Sequence, residues 1–262
     1  MNYFDKELNI LEWFRIPIGQ IMCFPFENET CKELYLSLIK DDWFKDWVES
    51  SGKADPPPDF YNPKIKMMMD VMRVDDHAYV NERGKIINPV NQRESKIRKE
   101  LEKSSIMGLL SNDASIIINA VTDLPEREDH NYEFYYENFK RVIKKHIESI
   151  PLYKKNHPGY DTVFFIFDES SGYVLAEDEL QAKRCISPGE MFYCRPYLHF
   201  IDKRFVELFA EADIDYVIWY SPYKHFDSDM PELPFTCIYD VKSIVLSDLE
   251  EYPISLIMST EA

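Results

Sequence analysis

The feature that most constrains the fold is residues 65–74, IKMMMDVMRV, a predicted strand with apolar residues on both faces. Successive side chains of a β-strand point to opposite faces, so apolar residues on both of them indicate a strand covered on both sides. Strands of this kind occur in sheets that carry helices on each face. The segment therefore predicts an α/β fold.

A carboxylate, Asp70, lies inside this apolar strand. An ionised carboxylate buried there loses its hydration, at a cost of several kcal/mol unless a cation or hydrogen-bond donors compensate. Lys66 points to the same face, but four residues of strand separate the two by about 13 Å. We therefore expect a partner from a neighbouring element or a bound ion. The alternative is that Asp70 lies at the end of the sheet or accepts backbone donors in a turn.

The remaining pattern predicts helices and strands around this element. The capping box Thr30-x-x-Glu33 predicts a helix from Thr30 to about Val48. A regular apolar stripe predicts a helix over 132–149 that Pro151 ends. A charged helix over 91–110 is predicted to be a surface insertion. Two further helices are predicted, one over about 176–184 and a short one capped by Asp202. Buried strands are predicted at 115–121, 162–167 and 215–220, and the last two are expected to be neighbours because their compositions are similar. Segments 235–247 and 254–258 are expected to add one or two closing strands.

Together these elements predict a single α/β domain over residues 1–262, with a mixed central sheet flanked by helices. Only 7 glycines are present, and neither GxGxxG nor GxxxxGK[ST] occurs, which argues against a glycine-rich phosphate loop. The 5 cysteines have no CxxC spacing and predict reduced thiols in a cytoplasmic protein. No signal peptide and no apolar run of membrane-spanning length is found, so we expect no membrane partner.

The net charge of −17 repels a polyanion and disfavours a large nucleic-acid interface, although it leaves room for a local basic groove. Lysine and arginine are densest over 83–103 and 140–145, and the first segment is interleaved with glutamates, as on a solvated helix face. Aromatic residues over 193–200 and 219–225 fit a protein interface, but core packing is the preferred interpretation. A protein is thus the more plausible partner.

The element order from Thr30 to Phe167 is similar to the αβββαβ core of the PD-(D/E)XK nuclease-like superfamily. The resemblance implies two acids and a lysine on adjacent strands that bind Mg²⁺ or Mn²⁺ and activate water for phosphodiester hydrolysis. Asp59 matches the first acid if Asp70-Val71-Met72 stands at the D/E-x-K position, where Met72 replaces the lysine. If Asp70 is the first acid instead, the next strand offers only Asn119-Ala120-Val121.

The resemblance thus implies Asp59, Asp70 and Lys66 as catalytic residues and Asp59, Asp70 and Glu33 as metal ligands. Lys144 or Lys145 are alternative sources of the lysine. In this interpretation residues 30–167 form the nuclease-like core and 168–262 a C-terminal αβ extension. The predicted function is interaction through a core with an incomplete catalytic site. The alternative is a nuclease dependent on a divalent metal.

A second group of polar residues follows the predicted strand ends: Asp75-Asp76-His77, Asp123 and Asp168-Glu169. If these strands are parallel, the side chains can converge on a cation, because open α/β sheets bind ligands beyond the carboxyl ends of their strands. If a strand is antiparallel, they scatter as turn residues. His77 is either a metal ligand or polar solvation of a strand end. His146, on an apolar helix face, is expected to be a core histidine.

Overall fold

A computed structural model describes residues 6–16, 20–50, 58–77, 79–81, 83–104, 130–182, 193–224 and 233–260. Its centre is a seven-stranded mixed sheet. The strands, numbered along the chain, are β1 (Ile21–Phe24), β2 (Val48–Glu49), β3 (Phe60–Asn62), β4 (Met67–Val74), β7 (Asp161–Asp168), β10 (Tyr216–Tyr220) and β11 (Thr236–Asp240). Their order is β1-β11-β10-β7-β4-β3-β2. The predicted α/β class and mixed sheet are confirmed.

The middle of the sheet is parallel: β7 pairs with β4 on one side and with β10 on the other. Every residue from Thr162 to Asp168 is buried. The predicted adjacency of the strands at 162–167 and 215–220 is therefore confirmed. Val74 lies opposite Asp168, so β4 and β7 end together at one edge of the sheet.

Helices cover both faces of this sheet, as the strand at 65–74 predicts. Helices α4 (Tyr132–Ile147) and α7 (Lys203–Ala210) pack on the face that carries Met72 and Phe164. Helices α1 (Glu7–Phe14) and α2 (Glu29–Ile39) pack on the other face, against Val71 and Phe165. The remaining helices are α3 (Pro89–Lys103), α5 (Ile150–Asn156) and α6 (Glu179–Ala182).

Helix boundaries differ from the predictions where a stronger local signal competes. The cap of α2 is Asn28, whose side chain accepts the Cys31 N–H, so the helix begins before Thr30 and ends at Ile39. The segment Trp43–Lys45 is a separate 3₁₀ turn. Helix α4 ends at Ile147, and Pro151 lies in the first turn of α5, where its missing N–H is tolerated. Pro151 therefore starts a helix and does not stop one.

One further prediction is corrected by strand pairing. Residues Tyr173–Ala176 form β8, which pairs with β9 (Cys194–Pro196) and β12 (Ile257–Ser259), so the helix predicted at 176–184 starts only at Glu179, with α6. Strands β10 and β11 belong to the central sheet, as does β1, which precedes Thr30. The central sheet thus includes strands from before Thr30 and from 168–262 in addition to those from 30–167.

Other elements are local. Strands β5 (Tyr79–Val80) and β6 (Ile86–Ile87) form a small hairpin before α3. Asp202 caps α7 by accepting the Arg204 N–H, as predicted. The strand predicted at 115–121 lies outside the described residues. Within the described ranges, no helix combines the length and the apolar character needed to cross a membrane.

Candidate functional site

The predicted partner of Asp70 comes from a neighbouring helix. Asp70 is 3% exposed in the middle of β4, and its Oδ2 lies 2.6 Å from Nδ1 of His146 in the last turns of α4. The apolar stripe that made His146 look like a core histidine is real, since Val142 and Ile143 beside it are buried. Periodicity alone therefore gave no signal that this histidine contacts an acid.

Asp59 faces Asp70 from the adjacent antiparallel strand. Phe60 of β3 lies opposite Met69 of β4, which places Asp59 opposite Asp70. Oδ2 of Asp59 accepts the Val71 N–H at 2.8 Å, and the two carboxyl groups hydrogen-bond to each other. Burial and the charge of Asp70 raise the pKa of Asp59 to about 8. At neutral pH Asp59 thus holds a proton that it donates to Asp70.

A pocket of about 370 Å³ lies beside this pair. Its walls come from α1, β4 and α4, and the lining residues are Glu7, Ile10, Val71, Met72, Arg73, Arg141, Val142, Lys145 and His146. Strand β3 pairs with Met67–Met69 of β4, and the pocket is lined by the following residues Val71, Met72 and Arg73 together with residues of α1 and α4, which lie on opposite faces of the sheet. His146 therefore contacts Asp70 with one nitrogen and also forms part of the pocket wall.

The pocket lining carries three cationic side chains, Arg73, Arg141 and Lys145, and one carboxylate, Glu7, in a chain of net charge −17. Arg73 pairs with Glu169, with Nη2 at 2.6 Å from the carboxylate, and this contact holds the Arg73 side chain. Arg141 donates to the neutral side chain of Asn138. Lys145 makes no ion pair within the part of the chain that the structure describes. Arg141 and Lys145, from the basic segment 140–145, thus supply the positive charge.

The other residues implied by the resemblance are not brought to this pair. Lys66 precedes β4, with a φ of 52° and an exposed side chain, and its carbonyl accepts the Asp161 N–H. Glu33 is exposed on α2, which packs on the opposite face of the sheet. Met72, at the position of the expected lysine, is 2% exposed. Lys145, one of the alternative lysines, is the one that lines the pocket.

The implied metal set Asp59, Asp70 and Glu33 does not fit one ion. Among the described residues, these three donors do not form a group within reach of one cation, and the one such group is Asp76, His77 and His130. The carboxyls of Asp59 and Asp70 are instead hydrogen-bonded to each other, and Asp70 is also bonded to His146. We therefore derive no catalytic step from a metal at Asp59 and Asp70.

The residues after β4 and β7 do converge, since these strands are parallel and end in register. Asp168 is fully buried and accepts from Tyr135, Ser170 and Trp219, with Lys224 at 3.6 Å. This carboxylate has ample donors and is structural. Asp123 lies outside the described residues.

Glu169, the residue after Asp168, is held by Arg73. Burial raises the pKa of Glu169 to about 7, against the opposing effect of the Arg73 charge. The two acids at the end of β7 therefore each have a protein cation nearby and need no bound ion.

Asp76 lies beside two histidines, His77 and His130. The contact with His130 was not predicted from the sequence. Oδ2 of Asp76 accepts from Ser171 and Tyr173, while Oδ1 faces Nδ1 of His130 at 3.3 Å and Nε2 of His77 at 3.7 Å. Nothing in the sequence around His130 indicates this contact, because His130 simply precedes the Asn131 cap of α4.

The aromatic segments considered for an interface are mainly core. Tyr197, Phe200, Trp219 and Tyr220 are buried, as the preferred interpretation held, whereas Tyr193 is 68% exposed. His225 lies outside the described residues. Comparison of the chain with models of known families, with curated proteins and with solved structures finds no match. Function is therefore argued from the geometry of the site.

Proposed function

We propose that the protein hydrolyses a phosphate ester in the pocket beside β4, with the Asp70–His146 pair as its acid–base group. One observation carries the proposal: His146 holds a buried carboxylate through Nδ1 at 2.6 Å and also lines a pocket with Arg141 and Lys145. A carboxylate-oriented histidine beside cations is an arrangement suited to proton transfer on an anionic substrate.

Asp70 fixes the chemical state of His146. With Nδ1–H donating to the carboxylate, the other ring nitrogen, Nε2, carries the lone pair. Nε2 can take a proton from the water that attacks phosphorus and return a proton to the leaving oxygen. The negative charge of Asp70 then stabilises the imidazolium that forms between these steps.

Asp59 keeps the site from becoming too negative. Its pKa of about 8 leaves it protonated at neutral pH, so the pair with Asp70 carries one negative charge instead of two. A second carboxylate charge here would repel the phosphate. The proton of Asp59 also donates to Asp70 and holds its carboxylate in place for His146.

The cations set the substrate class. Arg141 presents planar donors that match phosphate oxygens, and Lys145 adds a mobile point charge. A pocket of about 370 Å³ is at the lower end of small-ligand sites. Because the net charge of −17 repels long polyanions, we propose a small phosphodiester, or one exposed linkage of a nucleic acid. Phosphodiester hydrolysis is also what the nuclease-like resemblance implies.

The test is hydrolysis of bis(p-nitrophenyl) phosphate and of a dinucleotide by wild type, His146→Gln and Lys145→Ala. We expect His146→Gln to lower kcat about 10²- to 10⁴-fold, the usual contribution of a general acid–base group. We expect Lys145→Ala mainly to raise KM. His157→Gln is the matched control, because His157 packs on Tyr61 and does not line the pocket. Folded wild-type protein without activity, or His146→Gln with unchanged kcat, would contradict the proposal.

A second candidate function is binding of a protein partner without catalysis, through the same nuclease-like core. The observation that favours it is Met72, which is buried where the resemblance implies the catalytic lysine. In that case neither diester is hydrolysed, and Mg²⁺ or Mn²⁺ leaves the Tm of wild type and Asp70→Asn unchanged. A Tm rise confined to wild type would show an Asp70-dependent cation site and argue against this function.

We also propose a cytoplasmic location. The cysteines Cys23, Cys31, Cys194 and Cys237 are free thiols, and three of them are buried. Proteins of oxidising compartments tend to use cysteines in disulfides. Cell fractionation with a tagged chain tests this, and recovery of the tag from a secreted or membrane fraction would contradict it.

A further inference from the structure

We propose that Asp76, His77 and His130 form a binding site for a divalent transition-metal ion, with Zn²⁺ the best suited. Asp76 and His77 follow β4, and His130 lies two residues before α4. None of the three residues lines the pocket, and the pocket residue nearest to them along the chain is Arg73, three positions before Asp76, so the two sites have separate walls. The inference is independent of the proposed hydrolysis.

The spacing of the three donor atoms fits one ion. Asp76 Oδ1 lies 3.3 Å from His130 Nδ1 and 3.7 Å from His77 Nε2, and all three atoms lie within 4.8 Å of one another. A tetrahedral Zn²⁺ with ligands at about 2.0–2.1 Å separates neighbouring donors by about 3.4 Å. A metal ion can therefore reach these atoms after only small side-chain shifts.

The surroundings of Asp76 orient one oxygen toward the histidines. Oδ2 accepts the Ser171 N–H at 3.1 Å, the Ser171 hydroxyl at 2.7 Å and the Tyr173 hydroxyl at 2.8 Å. Oδ1 is buried and accepts no well-aligned hydrogen bond from any described residue. A carboxylate that binds a metal through one oxygen commonly accepts hydrogen bonds from the protein at its other oxygen, and Asp76 has this arrangement.

Among the described residues, the buried carboxylates near this site outnumber the buried cations, so a further positive charge would stabilise them. Asp76 and Asp168 are both 0% exposed, and the buried cation next to them is Lys224, at 2%. Lys224 lies 3.6 Å from Asp168 and donates to the Ser171 carbonyl at 3.1 Å. Buried carboxylates require compensation. A divalent ion held by Asp76 and two neutral histidines provides it, whereas imidazolium formation is the competing arrangement.

The donor set defines the class of ion. Mg²⁺ and Ca²⁺ prefer oxygen ligands, while two imidazoles and one carboxylate suit Zn²⁺ and neighbouring transition metals. Three protein ligands leave a fourth tetrahedral position for water or another ligand. A bound ion would therefore keep one coordination position for a ligand that the protein does not supply.

The test uses full-length protein stripped with a chelator and titrated with Zn²⁺ against a chromophoric competitor, with Co²⁺ absorption as a second readout. We expect one equivalent to bind to wild type and at least about 100-fold weaker binding to His77→Ala and His130→Ala. Zn²⁺ should raise the Tm of wild type and not of these variants. Because their side chains are only 16% and 17% exposed, truncation leaves a partial cavity, and circular dichroism together with the metal-free Tm checks that both variants remain folded.

Two controls separate this site from other zinc-binding groups. Cys194→Ser removes a half-exposed thiol and His157→Ala removes a histidine at the end of α5, and both should bind Zn²⁺ like wild type. The Co²⁺ spectrum should lack thiolate charge-transfer bands. The proposal would be overturned if wild type bound no Zn²⁺, or if His77→Ala and His130→Ala bound Zn²⁺ as tightly as wild type. Binding of Mg²⁺ as tight as that of Zn²⁺ would also overturn it. Absent binding would mean that imidazolium balances Asp76.

Discussion

The proton that Asp59 holds makes a specific prediction about stability and pH. The pKa of Asp59 is raised from 3.8 to about 8 by burial and by Asp70. Between these values the native state holds a proton that the unfolded state has released, so wild-type stability falls as pH rises from about 4 to about 8. Below about pH 4 both states are protonated, and this loss is absent.

The variant Asp59→Asn isolates the effect. Its Oδ1 can accept the Val71 N–H, and its Nδ2–H can donate to Asp70, which reproduces the bonds of protonated Asp59. Each pKa unit corresponds to about 1.4 kcal/mol, so wild type loses at most about 4 kcal/mol relative to the variant from about pH 5 to about pH 8. We expect the free energy of unfolding of the variant, relative to wild type, to rise by at least about 2 kcal/mol over this interval.

Urea unfolding of both proteins at several pH values measures this difference. Asp46→Asn is the control, because hydrogen bonds from Lys40 and Lys64 lower the pKa of Asp46. The stabilising effect of Asp46 is present above about pH 4 and lost as pH falls further, so the Asp46→Asn difference should be constant from about pH 5 to about pH 8. If the difference in unfolding free energy between Asp59→Asn and wild type were also constant over this pH range, Asp59 would not be protonated in the native state.

Further predictions concern the elements that position the site, and urea unfolding measures each. Asn131→Ala removes the acceptor for the Glu133 and Phe134 N–H groups and should destabilise by about 1 kcal/mol, whereas Asn131→Asp should be nearly neutral. Lys224→Met leaves the carboxylate of Asp168 without its buried cation and should cost about 3–5 kcal/mol, with partial recovery on adding Asp168→Asn. Equal stabilities of the single and double variants would contradict the ion-pair assignment.

The fold could be predicted where burial produces a simple periodicity. The strand around Asp70 is apolar on both faces because helices lie on both, and α4 shows its stripe because one side of it is core. Boundaries were predicted less well, since neighbouring signals compete, as Asn28 does with Thr30. The sequence contains the Asn28 cap of α2 but does not rank it above Thr30.

The site could be predicted only in part, because its contacts are long-range. The cost of burying Asp70 predicted that it has a partner, but its contact with His146 spans 76 positions and follows from the packing of α4 on β4. Lys66 was the expected catalytic lysine because it is close to Asp70 in the sequence, whereas the lysine that lines the pocket is Lys145, on helix α4. Likewise, the contact of His130 with Asp76 joins the residues before α4 to those after β4, which lie more than 50 positions apart in the sequence.

The most direct test of the proposed function is a ¹⁵N spectrum of the histidine rings during titration with inorganic phosphate. The proposed mechanism predicts a His146 ring protonated at Nδ1 and an Nε2 signal that moves as phosphate enters the pocket. The response should be lost or strongly weakened in an Arg141→Ala, Lys145→Ala double variant, because those two cations hold the anion. A His146 ring that does not respond to phosphate, or that responds equally in the double variant, would contradict the assignment of this pocket as a phosphate-ester site.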